Sequence, residues 1–299
     1  MGRRHGWGGA VVAALVVGVA AGCGPMTAAG EGGPGPRHGR APAEVETLVH
    51  DTAVTDRQRA QVEAYWTGTG IKALAAGDAA GERVQPEWAE GGAVARTVGR
   101  LYVRGSDGGP SSCTATVVGT RTVVTAAHCV RSVVAGKPAS AATWDGQPYF
   151  VPGYRDGRGL YGGFTVRRVR MAVEWQDEGQ DVAMLEMNDA RDGRSISGVT
   201  GTQRIAFAPE RAALTHFFGY PYTSRVLHCQ APGQPLDGIL WRIPCRMGVG
   251  SSGGPYMVDL DASGTGTVVA VNVSGDDRDS YGTALAGLAR KLYRESERD

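Results

Sequence analysis

Two adjacent serines lie in the glycine-rich stretch GVGSSGGPY, residues 248–256, and either of them is a candidate nucleophile. A serine hydroxyl reacts poorly at neutral pH unless a neighbouring base takes its proton and a third group orients that base. Glycines beside such a serine let backbone amides approach the charge that develops on a carbonyl oxygen. A plain surface turn has the same composition, so the base must be sought elsewhere in the chain.

The chain contains six histidines, and three of them lie in the N-terminal signal and tether region: His5, His38 and His50. Among the others, His128 follows the apolar run VVTAA and precedes Cys129, where a disulfide can lock the turn. A single histidine at such a place is about as often a packed core residue as a base. His216 and His228 are predicted to be structural or exposed.

The motif TAAHC at residues 125–129, followed far downstream by GSSGGP at 250–255, resembles the chymotrypsin-like serine peptidases. Within that fold the chain is most similar to the bacterial glutamyl-endopeptidase-like and actinobacterial extracellular branch. The stretches YFVPGY, QDVAML and GYP support the resemblance, which covers about residues 97–290. It implies an all-β fold of two antiparallel six-stranded β-barrels with a short C-terminal helix. It also implies a serine endopeptidase that acts on polypeptides, with no cofactor and no metal.

The resemblance implies a role for each of four residues. Ser252, directly before Gly-Gly-Pro, takes the place of the nucleophile, and His128 takes that of the general base. The family pattern puts an orienting aspartate at the start of a buried strand, which matches Asp181 in DVAML. Its carboxylate is expected to accept from Nδ1–H of His128 and to stabilise the imidazolium. The amides of Gly250 and Ser252 are expected to hold the oxyanion.

Substrate recognition is predicted beside the stretch VNVSGDD, because peptides bind to this fold as an additional strand. There Asn272, Ser274 and Gly275 are expected to border the primary pocket. Glutamyl endopeptidases have a histidine near the position of Asn272 that receives an acidic side chain, and this chain has none there. Arg246 is a candidate to attract Asp or Glu at P1, but it also fits a surface arginine paired with an aspartate of the same stretch.

Two alternatives belong to other functional classes. The segment GSSGG also satisfies the Gly-x-Ser-x-Gly elbow of α/β-hydrolases, in which the histidine follows the serine along the chain. All six histidines precede Ser252, so the esterase hypothesis fails. The other alternative is a catalytically inactive homologue that serves as a cell-surface binding module.

Ser251 stands where digestive enzymes of the family carry an aspartate that pairs with a new N-terminus when the enzyme is activated. No such activation switch is therefore expected in this chain.

The N-terminus predicts export. A basic start is followed by an apolar run over residues 10–21, which is too short to span about 30 Å of hydrocarbon. The ending AAGC resembles a bacterial lipoprotein signal, in which Cys23 becomes the lipidated first residue. Cleavage near Ala20–Gly22 with free secretion is the alternative. We therefore predict an extracellular protein that contacts the membrane only through a lipid on Cys23, or is secreted.

Once Cys23 is set aside, the remaining cysteines form two pairs with equal spacing: Cys113 with Cys129, and Cys229 with Cys245. Sequential pairing closes two similar loops, each of which stabilises the fold by roughly 3 kcal/mol in the chain-entropy model. An oxidising compartment permits this pairing. A metal site is disfavoured, because no CxxC is present and only His128 and His228 flank the cysteines.

The local composition of the 299-residue chain predicts three parts. Residues 1–23 are the signal, and residues 24–95 are a Gly/Pro-rich tether followed by a partly helical propeptide or linker. Residues 96–299 are the peptidase domain, with barrels at about 96–200 and 201–299, since short apolar runs alternate there with turn residues. The formal net charge of +1 does not favour nucleic acid as a partner, and a monomer is expected.

Overall fold

The computed structural model of the protein describes five stretches of the chain: residues 45–78, 84–133, 141–176, 179–207 and 211–298. The predicted signal, the first part of the predicted tether and Cys23 lie outside the described residues. No helix within the described stretches has the length and apolar character of a membrane span.

The first half of the described chain forms the strands β1 (Thr47–Asp51), β2 (Val98–Arg104), β3 (Pro110–Val117), β4 (Thr122–Thr125), β5 (Arg131–Ser132), β6 (Thr143–Trp144), β7 (Gly146–Pro152), β8 (Tyr154–Arg155), β9 (Arg158–Gly159), β10 (Phe164–Ala172) and β11 (Ala183–Met187). Six of these strands run antiparallel in the order β10-β11-β4-β3-β2-β7, and pairing of β7 with β10 closes them into a barrel. β11 is buried at all five positions, because the barrel core covers one face and the C-terminal helix packs on the other.

The second half forms the strands β12 (Arg204–Ile205), β13 (Ala213–Gly219), β14 (Leu227–Leu236), β15 (Leu240–Ile243), β16 (Pro255–Val258), β17 (Thr267–Gly275) and β18 (Ser280–Ala284). In the described residues, six of them run antiparallel in the order β17-β16-β13-β14-β15-β18, and β17 pairs with β18 to close the second barrel. The predicted fold of two antiparallel six-stranded barrels is therefore confirmed.

Residues before the first barrel pack against it. They form α1 (Asp56–Tyr65), a π-helical turn (Trp66–Gly70), α2 (Ile71–Asp78) and α3 (Val94–Thr97). Thr55 caps α1 in a capping box with Gln58. Trp66 is fully buried, and its indole N–H donates to the carbonyl of Gln147. β1 adds antiparallel to β10, on the outside of the barrel.

Two further helices follow the first barrel: α4 (Ile196–Thr200) and α5 (Gly287–Ser296). α5 is the predicted C-terminal helix, and it buries Leu292. Although α5 follows the last strand of the second barrel, it packs against β10 and β11 of the first. Its end is held there, because the amide of Thr120 donates to the carboxylate of Glu297. The helix therefore ties the two barrels together.

Candidate active site

The pairing of β4 with β11 brings His128 and Asp181 together across 53 positions of the chain. Thr125, at the end of β4, lies opposite Ala183, near the start of β11. Because the strands are antiparallel, the residues just after β4 meet the residues just before β11. Nδ1 of His128 lies 2.7 Å from Oδ2 of Asp181, and the backbone N–H of His128 donates to Oδ1 at 2.9 Å.

This double contact orients the imidazole. A carboxylate oxygen beside Nδ1 favours the tautomer with the proton on Nδ1, which leaves Nε2 as the acceptor. The side chain of His128 is 30% exposed and that of Asp181 is 16% exposed, so a substrate can reach the ring while the carboxylate is largely covered. Among the described histidines, only His128 is bonded to a carboxylate.

Both predicted disulfides are formed: Cys113–Cys129 and Cys229–Cys245. The first one holds the short 3-10 turn that carries His128 against β3. Sulfur atoms joined in a disulfide provide no thiolate, so the proximity of Cys113, Cys129 and His128 does not create a metal site. Such bonds are typical of oxidising compartments and fit an extracellular protein.

The Ser252 loop enters β16 and touches the first barrel. Gly248, Gly250 and Gly253 have φ angles of +99°, +96° and +75°, in the left-handed region that favours glycine. A Cβ on Gly253 would lie 2.0 Å from Oγ1 of Thr125, so only glycine fits against the end of the strand that leads to His128. Ser252 is half-buried, and its hydroxyl makes no hydrogen bond to the residues that the structure describes.

Two amides of this loop remain available for a ligand. Within the described ranges, neither the N–H of Gly250 nor that of Ser252 donates to an acceptor. The amides of Ser251 and Gly253 are each bonded to a backbone carbonyl, at 3.3 and 2.7 Å. Bonded and unbonded amides therefore alternate along the loop, which suits a site for an anionic oxygen.

A network of buried polar side chains supports the Ser252 loop. Ser251 is 2% exposed, and its hydroxyl donates to the carbonyl of Gly248 at 2.6 Å. The side-chain amide of Asn272 lies 3.2 Å from that hydroxyl and 2.8 Å from the hydroxyl of Tyr256, whichever way the amide is turned. With its oxygen towards Ser251, its nitrogen also reaches the carbonyl of Ser274 at 3.2 Å. Burial raises the pKa of Tyr256 well above its usual value, so its hydroxyl stays protonated.

The predicted specificity residues share one cavity of about 320 Å³ beside Ser252: Arg246, Asn272, Ser274 and Gly275. Arg246, Ser274 and Gly275 are exposed, whereas Asn272 is 4% exposed and engaged in the network just described. The cavity also contains Asp276, whose carboxylate accepts from the amides of the following turn, which lowers its pKa. Positive and negative groups therefore face the same space.

The other described histidines lie in ring stacks. His50 stacks on Trp144, with ring centroids 4.4 Å apart. His216 and His228 lie side by side on β13 and β14, with Nδ1 and Nε2 3.1 Å apart. Burial lowers the pKa of His228 to about 4, so it is neutral at physiological pH. These positions agree with the structural role predicted for His216 and His228.

Sequence patterns had no signal for three residues near the site. Asp145 is 6% exposed and accepts from the hydroxyl of Ser132, and burial raises its pKa to about 6. The hydroxyl of Tyr256 bonds to the side chain of Asn272, and the amide of Thr114 donates to the carbonyl of Ser252. The partners named here for these three residues are between 13 and 138 positions away, so a local motif cannot reveal them.

The comparisons with known proteins concern the fold that carries this site. The sequence model of the trypsin family matches residues 89–227, a range that contains His128 and Asp181 and ends before Ser252. The chain has the trypsin fold. The predicted resemblance to the chymotrypsin-like serine peptidases is thereby confirmed at the level of the fold. A comparison with curated protein sequences finds no significant match.

Solved structures share the trypsin fold with this chain. The protease Anisep from Arthrobacter nicotinovorans has 23% identity and a TM-score of 0.60, over 68% of this chain and 96% of its own. The thermostable serine protease AL20 from an extremophilic microorganism has 22% identity and a TM-score of 0.60, over 69% and 99%. A Glu endopeptidase has 15% identity and a TM-score of 0.58, over 73% and 99%. At these identities the likeness concerns the fold.

Proposed function

We propose that the protein is an exported serine endopeptidase that cleaves polypeptides through an acyl-enzyme. The observation that carries this proposal is the 2.7 Å contact between Nδ1 of His128 and Oδ2 of Asp181, next to the Ser252 loop. A carboxylate in this position orients a base and stabilises its charged form, which a purely structural histidine does not need. The trypsin fold supports a polypeptide as the substrate.

In the proposed reaction, Nε2 of His128 takes the proton from Oγ of Ser252 as Oγ attacks the peptide carbonyl carbon. The carbonyl π electrons move to oxygen, and the amides of Gly250 and Ser252 donate to the resulting oxyanion. His128 then gives its proton to the leaving amine, and an ester to Ser252 remains. A water molecule that loses a proton to His128 attacks this ester, and Ser252 recovers a proton as the acid product leaves.

The oxyanion amides supply a large share of the rate in this scheme. Loss of one such donor typically raises the barrier by about 2.7–4 kcal/mol. The left-handed φ of Gly250 supports this assignment, because a side chain there would strain the loop. Hydrogen bonds to the nucleophile are often long in ligand-free enzymes and shorten when substrate binds, which accounts for the unbonded hydroxyl of Ser252.

Substrate is proposed to bind along the exposed end of β17. There the peptide adds as a strand beside Ser274 and Gly275, and its P1 side chain enters the cavity bordered by Arg246 and Asn272.

We further propose that the protein works outside the cell, anchored by a lipid on Cys23 or freely secreted. The two disulfides support an extracellular location.

Labelling with a fluorophosphonate probe tests the proposal. The probe phosphonylates an activated serine and expels fluoride, so the wild type and Ser251→Ala are expected to be labelled, and Ser252→Ala is not. Ser251 is the matched control because it is the adjacent serine and is buried. A folded wild type that takes no label would contradict the enzyme hypothesis and favour the inactive binding module.

A further inference from the structure

Thr114 joins the two halves of the candidate site. It lies in β3 of the first barrel and is fully buried. The residue before it, Cys113, is bonded to Cys129, which directly follows His128. The disulfide therefore links the chain beside Thr114 to the turn that carries the general base, although Thr114 lies in β3 and that turn follows β4.

Three hydrogen bonds run from Thr114 to the second barrel. Its hydroxyl donates to the carbonyl of Gly250 at 3.1 Å and accepts from the amide of Tyr220 at 2.9 Å. Its own amide donates to the carbonyl of Ser252 at 2.8 Å. The two carbonyls that Thr114 holds lie on either side of the Ser252 amide, which is one of the two proposed oxyanion donors.

We propose that Thr114 is a positioning residue, and that its hydroxyl keeps the oxyanion loop in register with His128. Gly250 has no side chain to restrict its backbone, so its carbonyl needs an external partner to fix the direction of the adjoining peptide groups. Oxyanion donors act on the transition state more than on bound substrate. The hydroxyl therefore contributes to kcat and has little effect on KM. This inference rests on the proposed function.

The test compares Thr114→Val with Thr116→Val. Both threonines are fully buried in β3, and side chains two apart point to the same face of a strand. The hydroxyl of Thr116 has no hydrogen-bond partner among the described residues, so valine there removes no contact. For a peptide ester or amide substrate, we expect Thr114→Val to lower kcat by about tenfold or more and to change KM by less than about twofold. Thr116→Val is expected to match the wild type, and Thr114→Ser to restore most of kcat.

A second measurement separates positioning from loss of stability. A peptide aldehyde adds to Oγ of Ser252 and forms a tetrahedral adduct whose oxygen occupies the oxyanion site. In Thr114→Val, its inhibition constant should rise in step with the loss of kcat/KM. The matching peptide alcohol, which lacks the aldehyde carbonyl and forms no adduct, should bind as it does to the wild type. Circular dichroism melting shows whether each variant is folded at the assay temperature.

Equal kcat values for Thr114→Val and Thr116→Val would overturn the inference, as would equal weakening of the aldehyde and the alcohol. If Thr114→Val does not fold, Thr114→Ala is measured in the same way. Failure of both to fold would assign Thr114 to the core alone and also reject the inference. Failure of the proposed function has a different signature, because the wild type itself would then take no fluorophosphonate.

Discussion

The hydroxyl of Ser251 lies 3.2 Å from the side-chain amide of Asn272, and both side chains are buried beneath the loop that ends in Ser252. The network continues to the hydroxyl of Tyr256 and to the carbonyl of Gly248. All of these groups are neutral at physiological pH. The loop is therefore supported by hydrogen bonds between neutral groups, at the place where digestive enzymes of the family carry an aspartate.

Ser251→Asp is expected to destabilise the protein at pH 8 by about 3 kcal/mol, because an unpaired carboxylate is then buried beside the carbonyl of Gly248. Burial raises the pKa of such a carboxyl in the folded state above its unfolded value, so stability falls as pH rises between the two. Near pH 4 the variant should approach the wild type. Urea unfolding at both pH values measures this, with Ser251→Asn as the neutral control. An equal loss for Ser251→Asp at both pH values would refute the electrostatic explanation.

Asp145→Asn is expected to stabilise the protein at pH 8. The pKa of Asp145 is about 6 in the folded state against an ordinary value of 3.8, so the folded state binds the proton more tightly and stability declines as pH rises through this window. Asparagine carries no charge and therefore removes this penalty. The free energy of unfolding is expected to rise by about 1–2 kcal/mol, a value reduced to allow for screening by solvent. The difference in stability between Asp145→Asn and the wild type should vanish below about pH 4.

Thermal melts from pH 4 to pH 8 test the Asp145 prediction, and Asp277→Asn is the control because its carboxylate is exposed. A destabilised Asp145→Asn protein at pH 8 would show that the carboxylate is needed in its charged form.

Trp66→Ala is expected to lower the free energy of unfolding by about 3–5 kcal/mol. The indole is fully buried against the first barrel, and its N–H donates to the carbonyl of Gln147. Val54→Ala is the control, since that side chain is 42% exposed. If Trp66→Ala unfolds like the wild type, the packing of this indole contributes little to the stability of the fold.

Arg246→Gln is expected to lower kcat/KM for peptides with Asp or Glu at P1 by about tenfold relative to peptides with Leu at P1, because a cation bordering the cavity is lost. A library that varies only P1 measures the ratio. Arg278→Gln is the matched control, because that exposed arginine lies in the neighbouring turn and outside the cavity lining. An unchanged ranking of P1 residues would show that Arg246 is a surface residue without a role in selection.

Several strands could be predicted from the sequence and others could not. β4 and β17 consist of short apolar runs of the kind that predict strands in the peptidase domain. β14 and β7 each contain two prolines, and proline within a run argues against a strand. β14 is a strand nevertheless, because it pairs with β13 from Ala213 to Gly219 and closes the second barrel. Tertiary pairing outweighed the local signal.

The sequence by itself determined the residue types that can do chemistry: a histidine after an apolar strand, a serine between glycines, and cysteines with equal spacing. Short patterns encode these features because they depend on neighbours along the chain. Only the tertiary structure decided that Thr114 holds Gly250 and that Ser251 meets Asn272. Such contacts form when two barrels close and pack together, and nothing in the neighbouring residues specifies their partners.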